Sequence, residues 1–222
     1  MAGSSKENRA ARKRKPALDT KARPAQPRSQ DTYEHILETA GRLLGQIGFE
    51  ELSTNLICRE AGVTPPALYR YFPNKYAILK ILGERLMSNQ DALVDQWLVA
   101  GTAEHRLPED PVDRIASLLR GLVEVTKAFP GGIAINRAIH AVPLLRQIHV
   151  ESRDAVAGQI SEILQALIPA VSPARLRIAA KMVSQLTSGL VETVIEEPDQ
   201  DAEGLIRETA FLFAAYFRAM RG

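Results

Sequence analysis

From Asp31 to the end of the chain, apolar side chains recur at every third or fourth position. No alternating run of Val, Ile or Thr bounded by turn residues interrupts them. That period lays apolar groups along one stripe of an α-helix, whereas a half-buried strand repeats every second residue. In the first stretch Ile36, Leu37, Ala40, Leu43, Leu44 and Ile47 share a face, with Asp31 placed as N-cap and Gly48 placed as the glycine that ends the helix. Further helical stretches are predicted over residues 75–98, 111–129, 133–140, 143–167, 173–195 and 202–220. Gly101, Pro108, Pro111, Pro130-Gly131-Gly132, Pro169, Pro173, Pro198 and Asp199 punctuate them. The expected fold is all-α with no sheet. At 222 residues the chain can form one large core or two small domains.

Charge divides the chain unevenly. Residues 1–30 carry nine Lys or Arg against two acids, Glu7 and Asp19, although the whole chain has a formal net charge of only +2. With Leu18 as almost its only large apolar residue, this segment is expected to be a disordered basic tail. It serves either as a solubilising tail or as an arm that follows a polyanion. No apolar run approaches the roughly 18 residues of a spanning helix, so no membrane partner is expected. The basic N-terminus lacks the apolar stretch of a secretion signal. A single cysteine, Cys58, excludes an internal disulfide framework and a thiolate zinc cluster, and fits a cytoplasmic location.

The segment from Gly48 to Lys75 is the most informative. Ser53 is placed to cap a short helix with Leu56, Ile57 and Ala61 on its apolar side. Gly62-Val63-Thr64 then supplies a turn, an apolar plug and a second capping residue. Pro65 and Pro66 open a second helix, since first-turn N–H groups have no intrahelical partner to lose. Because proline disfavours helical geometry in the residue before it, that helix is expected to begin at Pro66. Two short helices joined by a tight glycine-containing turn make a helix-turn-helix pattern. On the wheel of the second helix Leu68 and Phe72 mark the buried stripe, which leaves Pro66, Ala67, Tyr69 and Arg70 outward. An arginine there can donate two parallel hydrogen bonds to guanine. The hydroxyls of Thr64, Tyr69 and Tyr71 suit phosphate oxygens, and Asn74 and Lys75 start a helix whose N-terminus favours an anion. The candidate DNA contacts are Ser53, Thr54, Thr64, Pro65, Pro66, Ala67, Tyr69, Arg70, Tyr71 and Lys75. The alternative is that the tyrosines pack inward and the arginine is a solvated charge.

Gly48-Phe49-Glu50, then Ile57-Cys58-Arg59-Glu60-Ala61-Gly62-Val63, then Leu68-Tyr69-Arg70-Tyr71-Phe72-Pro73-Asn74-Lys75 resembles the DNA-binding signature of the TetR/AcrR family of transcriptional regulators. Leu52, Asn55 and Cys58 depart from the residues common at those positions; Cys58 reads as a small buried apolar residue. The resemblance implies a three-helix DNA-binding domain, a long fourth helix, and a variable helical core that binds an effector and dimerises through the last two helices. On that basis residues 1–30 are the tail, 31–80 the helix-turn-helix domain and 81–222 the effector-binding and dimerisation domain. The implied function is a repressor of transcription, bound as a homodimer to double-stranded operator DNA and released by an unidentified small molecule.

Beyond residue 82 the residues themselves must carry the reading. Val183, Leu186, Leu190, Val191, Val194 and Ile195 form one apolar stripe, and Leu205, Ile206, Phe211, Leu212, Ala215 and Tyr216 another. They suit a four-helix interface between two copies, or alternatively the monomer's own core. Candidate pocket residues are Trp97, Phe129, Asn136, His140, Gln147, His149 and Gln185, polar or aromatic groups scattered among apolar ones. His140 and His149 lack the i, i+4 spacing of two ligands on one helical face, so no metal and no other cofactor is expected. A helical enzyme with either histidine as general base finds no nucleophile triad, carboxylate pair or phosphate loop in support. A module that has lost its DNA face is opposed by Arg70 and Lys75.

Overall fold

The computed structural model describes residues 16–21, 26–102, 111–143, 145–197 and 199–221. Among them lie nine helices and no strand: α1 (Pro27–Glu51), α2 (Thr54–Glu60), α3 (Pro65–Tyr71), α4 (Lys75–Thr102), α5 (Val112–Ala128), α6 (Gly132–Ala141), α7 (Arg146–Leu167), α8 (Pro173–Glu196) and α9 (Ala202–Arg221).

Helix α1 begins at Pro27, four residues before the expected cap at Asp31, because the fixed φ of proline suits the first helical position. Residues 27–30 therefore belong to a helix and not to a tail. Residues 16–21, also expected to be disordered, lie against the same domain. Leu18 packs on its core, the Lys21 N–H donates to the Tyr71 carbonyl at 2.9 Å, and Asn74 Nδ2 donates to the Ala17 carbonyl at 2.8 Å. Lys80 and Asp19 form an ion pair at 2.8 Å. One apolar anchor and two otherwise unpaired polar groups at the α3–α4 corner suffice to fix this strap. Residues 1–15 and 22–25 of the expected tail lie outside the described residues.

Gly48 interrupts α1 with φ 75°, as the sequence required, and one further turn follows. Ser53 Oγ accepts from the Leu56 N–H at 3.2 Å and starts α2. At the other end Gly62 takes φ 62°, so its N–H reaches the Arg59 carbonyl while the Val63 N–H reaches the Cys58 carbonyl. This paired closure is what a left-handed glycine after a helix provides. Helix α3 starts at Pro65, not Pro66: Thr64 takes the extended ψ of 150° that a following proline demands, and Pro65 itself is helical. Asn74 Oδ1 then caps α4 by accepting from the Ala77 N–H at 3.0 Å.

Two main cores result, and α4 belongs to both. Its first half, with Ile78, Leu79, Leu82 and Leu86, packs with Ile36, Leu44, Ile57, Leu68 and Phe72. Its second half, with Val94 and Leu98, packs with α5, α8 and α9 through Leu119, Val191 and Phe213. The first core also takes in Ile135 and Ile139 of α6, so packing continues past residue 80. A third cluster joins Leu164, Leu176 and Met220.

The stripes assigned to a dimer surface mostly face inward. Val183, Leu190, Val191, Val194, Ile195 and Ile206 are buried in the monomer's own second core. The outward apolar residues of α8 and α9 are Ile178, Met182, Leu186, Phe211 and Leu212. For α8 the monomer's own core, the alternative reading of that stripe, is what the structure shows, because an apolar stripe records burial without recording what covers it.

A candidate DNA-reading face and an internal cavity

Helix α3 sits on the first core through Leu68, Tyr71 and Phe72, all at most 3% exposed. Thr64, Pro65, Pro66, Tyr69 and Arg70 are exposed, and Ala67 is half-buried. Arg70 forms no ion pair among the described residues; its guanidinium lies 5.7 Å from the centre of the Tyr71 ring. The Tyr69 hydroxyl lies 2.9 Å from Thr54 Oγ1 and ties α3 to the start of α2. This leaves an aromatic, a cation and small side chains on one face without a carboxylate.

Two expected phosphate contacts change role. Tyr71 is buried edge-on against Tyr33, with ring centres 5.6 Å apart. Three residues after Leu68, it falls on the inward side of the helix, which the wheel itself implied. Lys75 donates from Nζ to the carbonyls of Phe49 and Glu50 at 2.9 and 3.1 Å and lies over the Phe49 ring. It satisfies carbonyls left open where α1 breaks.

Behind this domain, α4 to α9 line a partly open cavity of about 240 Å³. Most of its wall is aliphatic or aromatic, including Leu119, Ile160, Phe213 and Phe217. Trp97, Asn136, His140 and His149 of the expected set are in that wall. Trp97 is fixed by a reciprocal pair: its indole N–H donates to the Arg114 carbonyl at 3.1 Å, and Arg114 Nη2 donates to the Trp97 carbonyl at 3.0 Å. Although far apart in sequence for a shared helical face, His140 and His149 meet across α6 and α7. Burial, reinforced by His140 and two arginines, brings His149 down to about 4. Among the described residues no three His, Cys, Asp or Glu side chains are placed to hold a metal ion.

Phe129, Gln147 and Gln185 do not line this cavity. Phe129 ends α5 and packs on the first core, because the Pro130-Gly131 turn brings it there. Gln147 is exposed and donates to Glu151. Gln185 is exposed and accepts from Arg153 at 2.5 Å, whereas its neighbour Ser184 points into the protein. The sequence reading missed Asp91, Ser152 and Ser184, all in the cavity wall. Asp91 carried a readable signal: it occupies an inward position between Met87 and Val94 on α4, where an acid is out of pattern.

Helix α6 links cavity and DNA-reading domain. It starts after Gly131 (φ 71°), which lies so close to α1 that an added Cβ would overlap the Gly41 carbonyl oxygen. A Cβ at Gly41 would stand 2.8 Å from the Pro130 carbonyl oxygen. The two backbones are in contact, and Asn136 and His140 follow on the same short helix.

Residues 36–82 match the model for bacterial regulatory proteins of the tetR family, and residues 110–217 match the tetracyclin repressor-like C-terminal domain. The chain belongs to the TetR family. It is thereby a transcriptional regulator with a DNA-binding helix-turn-helix domain, not an enzyme. It is 26% identical over 194 residues to the transcriptional regulator AcrR of Shigella flexneri, covering 80% of this chain and 84% of that one. To EthR of Mycolicibacterium smegmatis it is 36% identical over 89 residues, which are 40% of this chain and 38% of EthR. In fold it is similar to a TetR-family regulator of Syntrophomonas wolfei, with TM-score 0.65, 15% identity and coverage of 85% and 96%. It is likewise similar to Thermus thermophilus FadR, a TetR-family repressor in complex with lauroyl-CoA, with TM-score 0.56, 20% identity and coverage of 81% and 92%. No helix among the described residues is long and apolar enough to cross a membrane.

Proposed function

We propose that this TetR-family regulator is a cytoplasmic repressor that grips a twofold operator as a homodimer and lets go when a small molecule fills its cavity. Arg70 reads base edges in the major groove, with Pro66, Ala67 and Tyr69 beside it. Ser53, Thr54, Thr64 and Pro65 face the flanking phosphates. The dimer forms through the outward residues Ile178, Met182 and Leu186 of α8 and Phe211 and Leu212 of α9, which as a group are too apolar for a free surface. The reading domain ends and the effector domain begins within α4.

The observation that carries this reading is that α4 begins beside α3, capped by Asn74, and continues into the cavity wall with Asp91 and Trp97. An occupant preferring a different tilt of α4 or α6 moves both reading helices off the spacing of one DNA turn, about 34–36 Å. By linkage, DNA must weaken effector binding by the same factor. The lauroyl-CoA complex of a fold relative supports an effector with a long apolar part.

Selection of bound duplexes from a random pool tests the DNA reading. The expected product is a palindrome, bound by two chains. Arg70→Ala should reduce affinity for that palindrome by roughly tenfold or more and leave binding to unrelated DNA nearly unchanged. Recovery of sequences without dyad symmetry, or equal losses on both DNAs, refutes base reading by Arg70.

A further inference from the structure

The mostly apolar cavity wall carries a few polar side chains. Among them, Asp91 of α4 is half-buried, and Ser152 Oγ donates to its two carboxylate oxygens at 2.8 and 3.1 Å. Among the described residues no Lys or Arg pairs with it. Arg153, in the same wall, is engaged by Gln185 at 2.5 Å and by Asp154 at 3.2 Å. His149 is neutral near pH 7. Burial, the leading influence, pushes the Asp91 carboxyl up from its ordinary value. On α8, Ser184 is 7% exposed, lines the same cavity, and its Oγ has no hydrogen-bond partner among the described residues. Ser152 on α7 and Ser184 on α8 line the same cavity as Asp91.

A carboxylate without a counter-charge and an unpaired hydroxyl, set in a mostly apolar cavity, are each costly in isolation. Their complement is a group with positive charge and several N–H donors on an apolar body. A primary ammonium has three donors and no acceptor. An alcohol could bond Ser184 but leaves Asp91 uncompensated, and a carboxylate meets a like charge. Of the other cations in the wall, Arg114 is held by Trp97 and Arg218 and Arg221 are exposed in the last turn of α9, and among the described residues none of them pairs with Asp91. We propose that the effector is a lipophilic amine, bound as its ammonium form with Asp91 as counter-ion and Ser184 Oγ as second acceptor. This rests on the cavity being the effector site.

Trp97 is the chain's single tryptophan and lines the cavity, so its fluorescence reports occupancy. The full chain is titrated with decylammonium, decanol and decanoate, three ligands of one length that differ in head charge. Decylammonium should bind at least about tenfold tighter than decanol, as a charge-assisted contact implies. Asp91→Asn should remove most of that preference while leaving decanol binding unchanged, and Ser184→Ala should weaken the ammonium roughly threefold. Decanoate binding tightest, or an undiminished preference in Asp91→Asn, overturns the amine assignment alone. If none of the three perturbs Trp97 while the chain still binds its operator, the effector reading of the cavity falls as well.

Discussion

The rings of His140 and His149 stand edge to face with centres 4.4 Å apart, joining α6 to α7 in the cavity wall. Burial, with His140 and two arginines adding to it, holds His149 near 4 in the folded chain, below the ordinary 6.5. As pH falls the unfolded chain therefore takes the proton first. The contribution to stability is complete above about 6.5 and declines until about 4, by up to about 3 kcal/mol. Urea unfolding at pH 7 and pH 5 should show this decline in the native chain and a shallower one in His149→Phe. Asp91, whose carboxyl is raised by burial, works with the opposite sign, so the difference between the two chains isolates the histidine. Parallel pH profiles would mean that His149 is protonated in the fold without penalty.

The Thr54–Tyr69 bond predicts a coupled pair. Both residues lie on the proposed DNA side, and a hydrogen bond at 2.9 Å fixes the outward ring relative to α2. Tyr69→Phe and Thr54→Val should each lower operator affinity about fivefold, corresponding to about 1 kcal/mol, and the double variant should add little. Thermal stability should hardly change, since the bond is exposed. Additive losses in a double-mutant binding cycle would show that the two hydroxyls act on DNA independently.

Gly131 at the α1–α6 contact and Gly158 on the open side of α7 should respond oppositely to a methyl group. Gly131 needs its left-handed φ of 71°, and a Cβ there meets the Gly41 backbone. Gly131→Ala should lose at least about 2 kcal/mol of unfolding free energy. Gly158 lies in α7 with nothing within 4 Å of a Cβ, so Gly158→Ala should gain about 0.5–1 kcal/mol. Denaturant midpoints read both; equal shifts in the two variants contradict the packing described.

What was legible in the sequence follows from what local chemistry fixes. Ser53, Gly62 and Asn74 determine helix ends through backbone geometry and short-range bonds, so α2 and the start of α4 are legible before any tertiary contact is known, whereas α3 starts one residue earlier than expected because only Thr64, before the first proline, is forced to be extended. Tyr71 and Lys75 are expected at phosphates but are engaged within the fold, because a phosphate and a neighbouring carbonyl, or DNA and a core, recruit the same side chains. The cavity was half legible. Trp97, Asn136, His140 and His149 stood out as polar or aromatic residues in apolar stretches, but Ser184 and Ser152 gain meaning only when α7 and α8 are side by side. The strap escaped notice because one leucine among charges carries too little periodicity to register.

Residues 178, 182 and 186 form an outward row on α8, with Phe211 59% and Leu212 53% exposed on α9. If two copies meet there, Leu212→Glu places a charge in an apolar interface. The variant should sediment as a monomer at micromolar concentration, keep its helical circular dichroism, and bind the operator at least about tenfold more weakly, since one half-site must then suffice. A dimer that survives this substitution moves the interface elsewhere.

Strap and basic segment can be separated by truncation. Removing residues 1–15 takes away six of the nine early cations but leaves Leu18, Asp19 and Lys21 in place. Operator affinity should then depend less steeply on salt, because fewer counterions leave the DNA on binding, while thermal stability is unchanged. Removing residues 1–21 also strips Leu18 from the first core and the partners of Asn74 and Lys80, and should cost about 1–2 kcal/mol of stability. The strap bonds the Tyr71 carbonyl at the end of α3, so the second truncation should also weaken specific binding beyond the salt effect. Identical stabilities for the two truncated chains would show that the strap contributes nothing to the fold, and identical salt slopes for the first truncation and the full chain would show that residues 1–15 do not reach DNA.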